Sequence, residues 1–263
     1  MENKRLIAAT DLSDASDKSL QTAVMLAKKN NSEIILLHVF VVADIDESAK
    51  RMMGTNFLTR DIKRQLQETV DEIEKKDGVK ATYLTKEGEL FSLLAEASLE
   101  THSDILFVGT HGVHGVQHIT GSFLAKTINP SPIPVWVVQK DSVLNPYKNI
   151  VVYIDEYPSE VLASKTLELA RLFEAKLHFV FTEPDNAYTV SEMVVQLKTT
   201  LDREGMDYSL HFISEISDKP KAVLEMAHTL DSPIIIINRN GKPVDTYIPL
   251  LTNKHHLEVL CLN

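Results

Sequence analysis

The stretch from 4 to 40, KRLIAATDLSDASDKSLQTAVMLAKKNNSEIILLHVF, decides the fold, because an amphipathic segment joins two apolar runs. The runs RLIAAT (5–10) and EIILLHVF (33–40) are predicted to be strands that are buried on both faces. Residues 14–30 are predicted to be a helix with one apolar face. That face consists of Leu20, Ala23, Val24 and Ala27. A strand–helix–strand unit of this kind indicates a parallel sheet covered by helices.

The same alternation continues through the first half of the chain. Further apolar runs predict strands at 104–109 and 134–139, and a weaker, alternating run predicts one at 80–85. Amphipathic patterns predict helices at 58–77 and 89–100. Five strands with intervening helices are typical of an open α/β sheet.

The second half repeats the first. Residues 148–183 can be laid over 4–40, which places Asp155 on Asp11. Later, 221–241 overlays 92–112. A period of about 140 residues indicates domain duplication, since solenoid repeats are much shorter.

The duplication predicts two domains, 1–140 and 147–263. The connection between them, KDSVLNPYK (140–148), is polar and is interrupted by Pro146.

Composition excludes several classes of protein. The 263 residues carry a net charge of −10, so nucleic acid and anionic membranes are not expected partners. No apolar run is long enough to span a membrane. The single cysteine, Cys261, rules out an internal disulfide, and the N-terminus does not resemble a signal peptide. We therefore expect a cytoplasmic protein.

Five motifs in the first half carry a family resemblance. They are LIAATDLSDAS (6–16), ILLHV (35–39), SDILFVGTHG (103–112), GSFLAKTI (121–128) and SPIPVWVV (131–138). In this order they resemble the universal stress protein family, and the second half resembles it more weakly.

The resemblance implies an α/β fold with two open, doubly wound, parallel five-stranded sheets. Each is Rossmann-like, has the strand order 3-2-1-4-5 and belongs to a tandem universal stress protein. Strands 1 and 4 are then neighbours, and ligands bind outside the carboxyl ends of strands at such a switch point.

Many members of the family bind ATP through a Gly-x2-Gly-x9-Gly-Ser/Thr motif. Gly109, Gly112, Gly121 and Ser122 match it here, with eight residues rather than nine between the second and third glycines. Glycines let backbone N–H groups approach phosphate, and Ser122 is placed to cap the helix FLAKTI. The alternative interpretation is a turn and a helix cap without a ligand.

Four further residues are predicted to surround the nucleotide. Asp11, at the end of strand 1, could contact ribose hydroxyls or a phosphate-bound Mg²⁺, or could instead help to cap the next helix. Val39 and Val108 would contact the base, or simply pack in the core. Phe123 follows Ser122 at the start of the last helix.

Histidines interleave with the glycines at 111, 114 and 118, a spacing that superficially suggests zinc. The glycines between them make a rigid metal site unfavourable, so we predict no metal ligands and expect these side chains to be exposed or beside phosphate.

The second half lacks the nucleotide motif. Asn238 stands where Gly109 does, and no Gly-Ser pair follows Gly241. Asp155 is retained but is followed by Glu156, whose charge would repel phosphate. We predict a degenerate domain without ATP.

Three functions compete. The first is a stress-response regulatory protein with one ATP site, with or without Mg²⁺, in the N-terminal domain. The second is a scaffold that acts through dimerisation and protein partners. The third is an enzyme, which we do not expect beyond slow ATP hydrolysis, because we identify no catalytic residues.

The resemblance also implies how the halves pair. Family domains commonly dimerise through their final strands, which here are 134–139 and 257–262. Pairing would protect both apolar edges. We therefore expect an intramolecular pseudo-dimer, and homodimers of whole chains.

Overall fold

The computed structural model describes residues 4–41, 55–110, 121–142, 147–155, 160–182, 187–213, 218–253 and 255–262. The chain divides into two compact units, Met1–Lys140 and Asp141–Asn263.

The described part of the first unit is an open parallel α/β sheet. Its strands are β1 (Arg5–Ala9), β2 (Glu33–Phe40), β3 (Ala81–Glu87), β4 (Ile105–Gly109) and β5 (Val135–Val138). Its helices are α1 (Asp14–Asn30), α2 (Thr55–Asp77), α3 (Leu90–Glu100) and α4 (Gly121–Ile128). The strand order is β3-β2-β1-β4-β5, with every neighbouring pair parallel. The predicted fold class and strand order are confirmed.

The described part of the second unit repeats this arrangement. Its strands are β6 (Asn149–Ile154), β7 (Lys176–Thr182), β8 (Tyr208–Ile213), β9 (Ile234–Asn238) and β10 (Glu258–Leu262). Its helices are α5 (Glu160–Phe173), α6 (Ala187–Arg203), α7 (Lys219–Thr229), a 3-10 helix (Val244–Tyr247) and α8 (Ile248–Leu251). The strand order is β8-β7-β6-β9-β10, again parallel.

Burial explains why some strands were easier to predict than others. The central strands β1, β4, β6 and β9 carry continuous apolar runs that are almost fully buried. The outer strand β3 is only half-buried, which accounts for its alternating sequence, and it continues to Glu87 because Glu87 still pairs with Phe40 of β2. The predicted strand at 80–85 was therefore two residues short at its end.

No helix in the described part of the chain combines the length and apolar character that a membrane span requires.

Helix α1 begins where a capping box fixes its first turn. Ser13 is the N-cap, its side chain accepts from the Ser16 backbone N–H, and the Ser16 side chain accepts from the Ser13 N–H in return. Asp14 and Asp17 lie in the first turn, where negative charge interacts favourably with the helix dipole. Asn31 ends the helix in the left-handed conformation.

The first turn of α1 lies directly against the end of β4. A Cβ atom added to Gly109 would stand 2.5 Å from the Ala15 carbonyl oxygen and 3.2 Å from the Ser16 nitrogen. Real Cβ atoms do not approach backbone this closely, so only glycine fits here. Gly109 is therefore fixed by helix–strand packing, whatever else it binds.

Replacing Gly109 with alanine should destabilise the first unit by ~3 kcal/mol or more, because the colliding atoms are backbone and relax poorly. Urea unfolding followed by fluorescence of Trp136, the only tryptophan, measures the loss; its ring stacks on Phe107 at 5.3 Å. The control is Gly78→Ala, where the added Cβ meets nothing within 4 Å but the φ of +67° is unfavourable, at a cost of roughly 1–2 kcal/mol. Equal losses in the two variants would contradict the packing argument.

The predicted pairing of the final strands of the two halves, and of whole chains, stays a prediction.

Candidate functional site

The candidate site lies at the carboxyl edge of the first unit's sheet. Strand β1 pairs with β2 on one side and β4 on the other, and these connections run in opposite directions. Asp11 follows β1, Val39 lies near the end of β2 and Gly109 ends β4. The fold thus brings three of the predicted site residues to one switch point, where α/β sheets bind ligands.

A tight turn holds Asp11 at this edge. The Thr10 hydroxyl accepts from the Leu12 N–H at 3.0 Å and lies 3.0 Å from the Ser16 hydroxyl. One carboxylate oxygen of Asp11 accepts from the Ser13 N–H at 3.1 Å. Leu12 has a φ of 64°, which is unusual for a residue other than glycine. Because Ser16 also lies against Gly109, the turn and the end of β4 are held together.

Both interpretations of Asp11 find support in this geometry. Its side chain bonds to the chain just before α1, as the helix-cap interpretation requires, but Ser13 is the N-cap itself. The residue is nevertheless exposed at the switch point. Burial, together with the charges of Asp14 and Asp11, raises the pKa of Asp17, so this edge carries concentrated negative charge.

His38 lies next to the candidate site and was not predicted from the sequence. Its Nδ1 donates to the Thr10 carbonyl at 2.9 Å, and its ring packs edge-to-face on Phe40 with centroids 4.8 Å apart. Burial lowers the pKa of His38, so the imidazole is neutral at pH 7. The sequence signal for this residue is a polar side chain within the apolar run of β2.

The two valines differ in exposure. Val39 is half-buried in β2, opposite Lys86 of β3, and can still contact a ligand at the edge. Val108 is almost fully buried and pairs with Val137 of β5, as core packing predicts.

Helix α4 supplies the last group of predicted residues, and its start differs from the prediction. It begins at Gly121, so Ser122 lies in the first turn rather than capping the helix from outside. The Phe123 side chain packs edge-to-face on Phe91 of α3 at 5.4 Å. Gly121, Ser122 and Phe123 form the first turn of the helix, at the positive end of its dipole.

Gly112 and the histidines at 111, 114 and 118 lie outside the described residues. Within the described ranges, no group of three or more His, Cys, Asp or Glu side chains is placed to hold a metal ion.

The corresponding edge of the second unit is built differently. Asn238 ends β9 where Gly109 ends β4, and a tight turn follows, closed by the Lys242 N–H donating to the Arg239 carbonyl at 2.8 Å. Asn240 and Gly241 have φ angles of 48° and 76°, so the glycine that matches Gly112 serves this turn.

Tyr247 lies buried at this edge of the second unit. It ends the 3-10 helix that follows the turn, is 3% exposed, and donates its hydroxyl to Asp155 Oδ2 at 2.5 Å. Its ring also lies edge-to-face with Tyr153, at 6.3 Å. Burial and the bond to Asp155 raise the pKa of Tyr247, which keeps the hydroxyl protonated as a donor. The aspartate that corresponds to Asp11 is thus already bound by a tyrosine.

Comparison with known proteins identifies the family to which this architecture belongs. The model of the universal stress protein family matches residues 2–139, which is more than half of the chain. The chain belongs to the universal stress protein family. Universal stress protein YxiE of Bacillus subtilis (strain 168) is 28% identical over 151 residues, which cover 53% of this chain and all of that protein.

Solved structures extend the likeness to both halves. A universal stress protein from Archaeoglobus fulgidus DSM 4304 matches with a TM-score of 0.78 and 19% identity, over 100% of this chain and 99% of that one. The cytoplasmic domain of a prokaryotic cation chloride cotransporter matches with a TM-score of 0.59 and 14% identity, over 100% and 96% of the two chains. At these identities the likeness shows the fold alone, so function has to be argued from the site.

In this universal stress protein, Tyr247→Phe should lower the free energy of unfolding by ~1.5–3 kcal/mol, because the bond to Asp155 has a charged acceptor. The matched control is Tyr153→Phe, whose hydroxyl lies 3.3 Å from the neutral Thr182 hydroxyl and should cost ~0.5–1.5 kcal/mol. Urea unfolding followed by circular dichroism compares them. A smaller loss in Tyr247→Phe than in the control would show that the bond to Asp155 contributes little.

Proposed function

We propose that this universal stress protein binds one ATP, at the carboxyl edge of the first unit, and acts as a nucleotide-binding regulatory protein. The observation that carries the proposal is the difference between the two copies of one crevice. In the second unit Tyr247 is buried against Asp155, whereas the matching Asp11 is exposed beside Gly109. The motif that resembles the family's ATP loop occurs only in the copy with the exposed aspartate.

The first turn of α4 supplies the phosphate-binding groups in this proposal. Its backbone N–H groups and the positive end of the helix dipole favour an anion. Helix α4 is held by its buried Leu124 and Ile128 and by the packing of Phe123 on Phe91, so these donors have a fixed position. Fixed donors bind without an ordering cost.

Magnesium is expected to accompany the nucleotide. Asp11, Asp14 and Asp17 place negative charge at the start of α1, and this charge would repel bare phosphates. Mg²⁺ prefers one or two carboxylates together with phosphate oxygens, and the exposed Asp11 fits that donor set. The ribose interpretation of Asp11 stays open beside this one.

The proposal treats the protein as a binding module and expects slow ATP hydrolysis at most. The second candidate function is a scaffold without nucleotide. The hydrogen bond from Tyr247 to Asp155 favours the scaffold function for the second unit. A unit without a ligand can still pack and bind partners.

Calorimetric titration of the full chain with Mg-ATP tests the proposal. We expect one ATP per chain, and Asp11→Asn should weaken binding about tenfold, which corresponds to ~1.4 kcal/mol. Asparagine keeps the acceptor for the Ser13 N–H, so the turn should fold normally.

The matched control is Asp155→Asn in the second unit, which should leave affinity and stoichiometry unchanged. A stoichiometry near two would contradict the closed second crevice, and no detectable heat at millimolar Mg-ATP would favour the scaffold.

A further inference from the structure

A polar cluster lies in the second unit, toward the amino ends of its strands and therefore away from the carboxyl edge where Tyr247 meets Asp155. It consists of His178 on β7 with Ser209 and His211 on β8. His178 Nδ1 lies 3.2 Å from His211 Nε2, and Ser209 Oγ lies 2.7 Å from the first nitrogen and 2.9 Å from the second. Three donor atoms thus face one another across neighbouring strands.

Strand register produces this convergence. His178 pairs with Ser209 and Val180 pairs with His211 in the parallel β7–β8 ladder. Side chains two residues apart on a strand point to the same face, so Ser209 and His211 lie on one side of the sheet. The arrangement is therefore held by two hydrogen-bonded strands rather than by a loop.

Asn149 orients the more buried imidazole. Its Oδ1 accepts from His178 Nε2 at 3.0 Å, so the lone pair of a neutral His178 is on Nδ1, toward the cluster. Metal-bound histidines in proteins almost always hold their second ring N–H in this way.

The spacing of the three donors matches a small metal ion. With bonds of about 2.0–2.1 Å, ligands at tetrahedral or square-planar angles stand about 2.8–3.4 Å apart. The edges of the triangle, 2.7, 2.9 and 3.2 Å, fall in or next to this range.

We propose that His178, His211 and Ser209 form a binding site for a divalent transition-metal ion of the Zn²⁺, Ni²⁺ or Cu²⁺ class, completed by water. Two imidazole nitrogens favour these ions over Mg²⁺ and Ca²⁺, which prefer oxygen. His211 and Ser209 are half-exposed on β8, so an ion reaches the site from solvent. Nearby Lys176 and Asp207 form an ion pair at 3.6 Å, which leaves little net charge against a cation.

The direct test is titration of the nucleotide-free full chain with Zn²⁺, comparing wild type with the double variant His178→Gln/His211→Asn. The chain has ten histidines, so other sites can also bind Zn²⁺. The informative quantity is therefore the difference in bound Zn²⁺ between wild type and the variant. The double variant should lose one equivalent of bound Zn²⁺.

The matched control is His228→Asn/His255→Asn, another histidine pair of the same unit, with ring centroids 5.7 Å apart. It should keep the equivalent. Loss of the equivalent in both double variants, or in neither, would overturn the proposal.

Two milder variants keep the test valid if the double variant folds poorly. His211→Asn alone changes a half-exposed side chain and should weaken Zn²⁺ binding at least tenfold. Asn149→Ala keeps both imidazoles and should weaken it about tenfold to a hundredfold, as loss of an orienting partner does. Nitrogen hyperfine splitting from two imidazoles in the spectrum of bound Cu²⁺, reduced to one in His211→Asn, would identify the ligands. Unchanged affinity in both variants would refute the site.

Discussion

The approach of the α1 first turn to the Cα atom of Gly109 constrains the carboxyl edge of the first unit's sheet. It leaves no space for a side chain on β4 and fixes the backbone of Ala15 and Ser16 against that strand. Ser16 in turn bonds Ser13 and lies beside the Thr10 hydroxyl, so the turn carrying Asp11 is held by the same contact. The end of β1, the start of α1 and the end of β4 thus form one rigid unit. A ligand at this switch point meets groups that are already in place, and binding requires little reordering.

The second unit shows what happens when this constraint is relaxed. Asn238 replaces the glycine, and a short turn through Asn240 and Gly241 leads to the 3-10 helix. Tyr247 then donates a hydrogen bond to Asp155 from within the protein. One fold therefore supports an exposed acidic edge in one copy and a packed polar core in the other. Two copies of one fold can thus carry different sites.

Much of the fold followed from the sequence. Parallel strands that are buried on both faces must be continuously apolar, so β1, β4, β6 and β9 were visible as runs without alternation. The bounds of α1 were predictable because its cap, its charged ends and its terminal asparagine all agree. Outer strand β3 was harder to predict, since most of its side chains are only partly buried.

The site was only partly predictable, because it depends on contacts between residues far apart in sequence. The sequence predicts that the Gly109 backbone can approach phosphate. Its packing on Ala15 depends on how α1 lies against β4, which the sequence alone does not show. His38 was hidden in an apolar run, and its bond to Thr10 joins neighbouring strands. Likewise, no local pattern links Tyr247 to Asp155, or His178 to His211, because the residues of each pair are far apart in sequence and only the fold brings them together. Spacing along a chain predicts local chemistry, whereas these pairs are products of topology.

The central claim is the proposed difference in nucleotide binding between the two copies, in which Asp11 is exposed at its edge whereas Asp155 is bound by Tyr247. Hydrogen exchange of the full chain, measured by mass spectrometry with and without Mg-ATP, tests this most directly. The account predicts slower exchange in peptides covering 9–16 and 105–128, with no change in peptides covering 153–155 and 234–251. Protection of the second set, or no protection of the first, would contradict it.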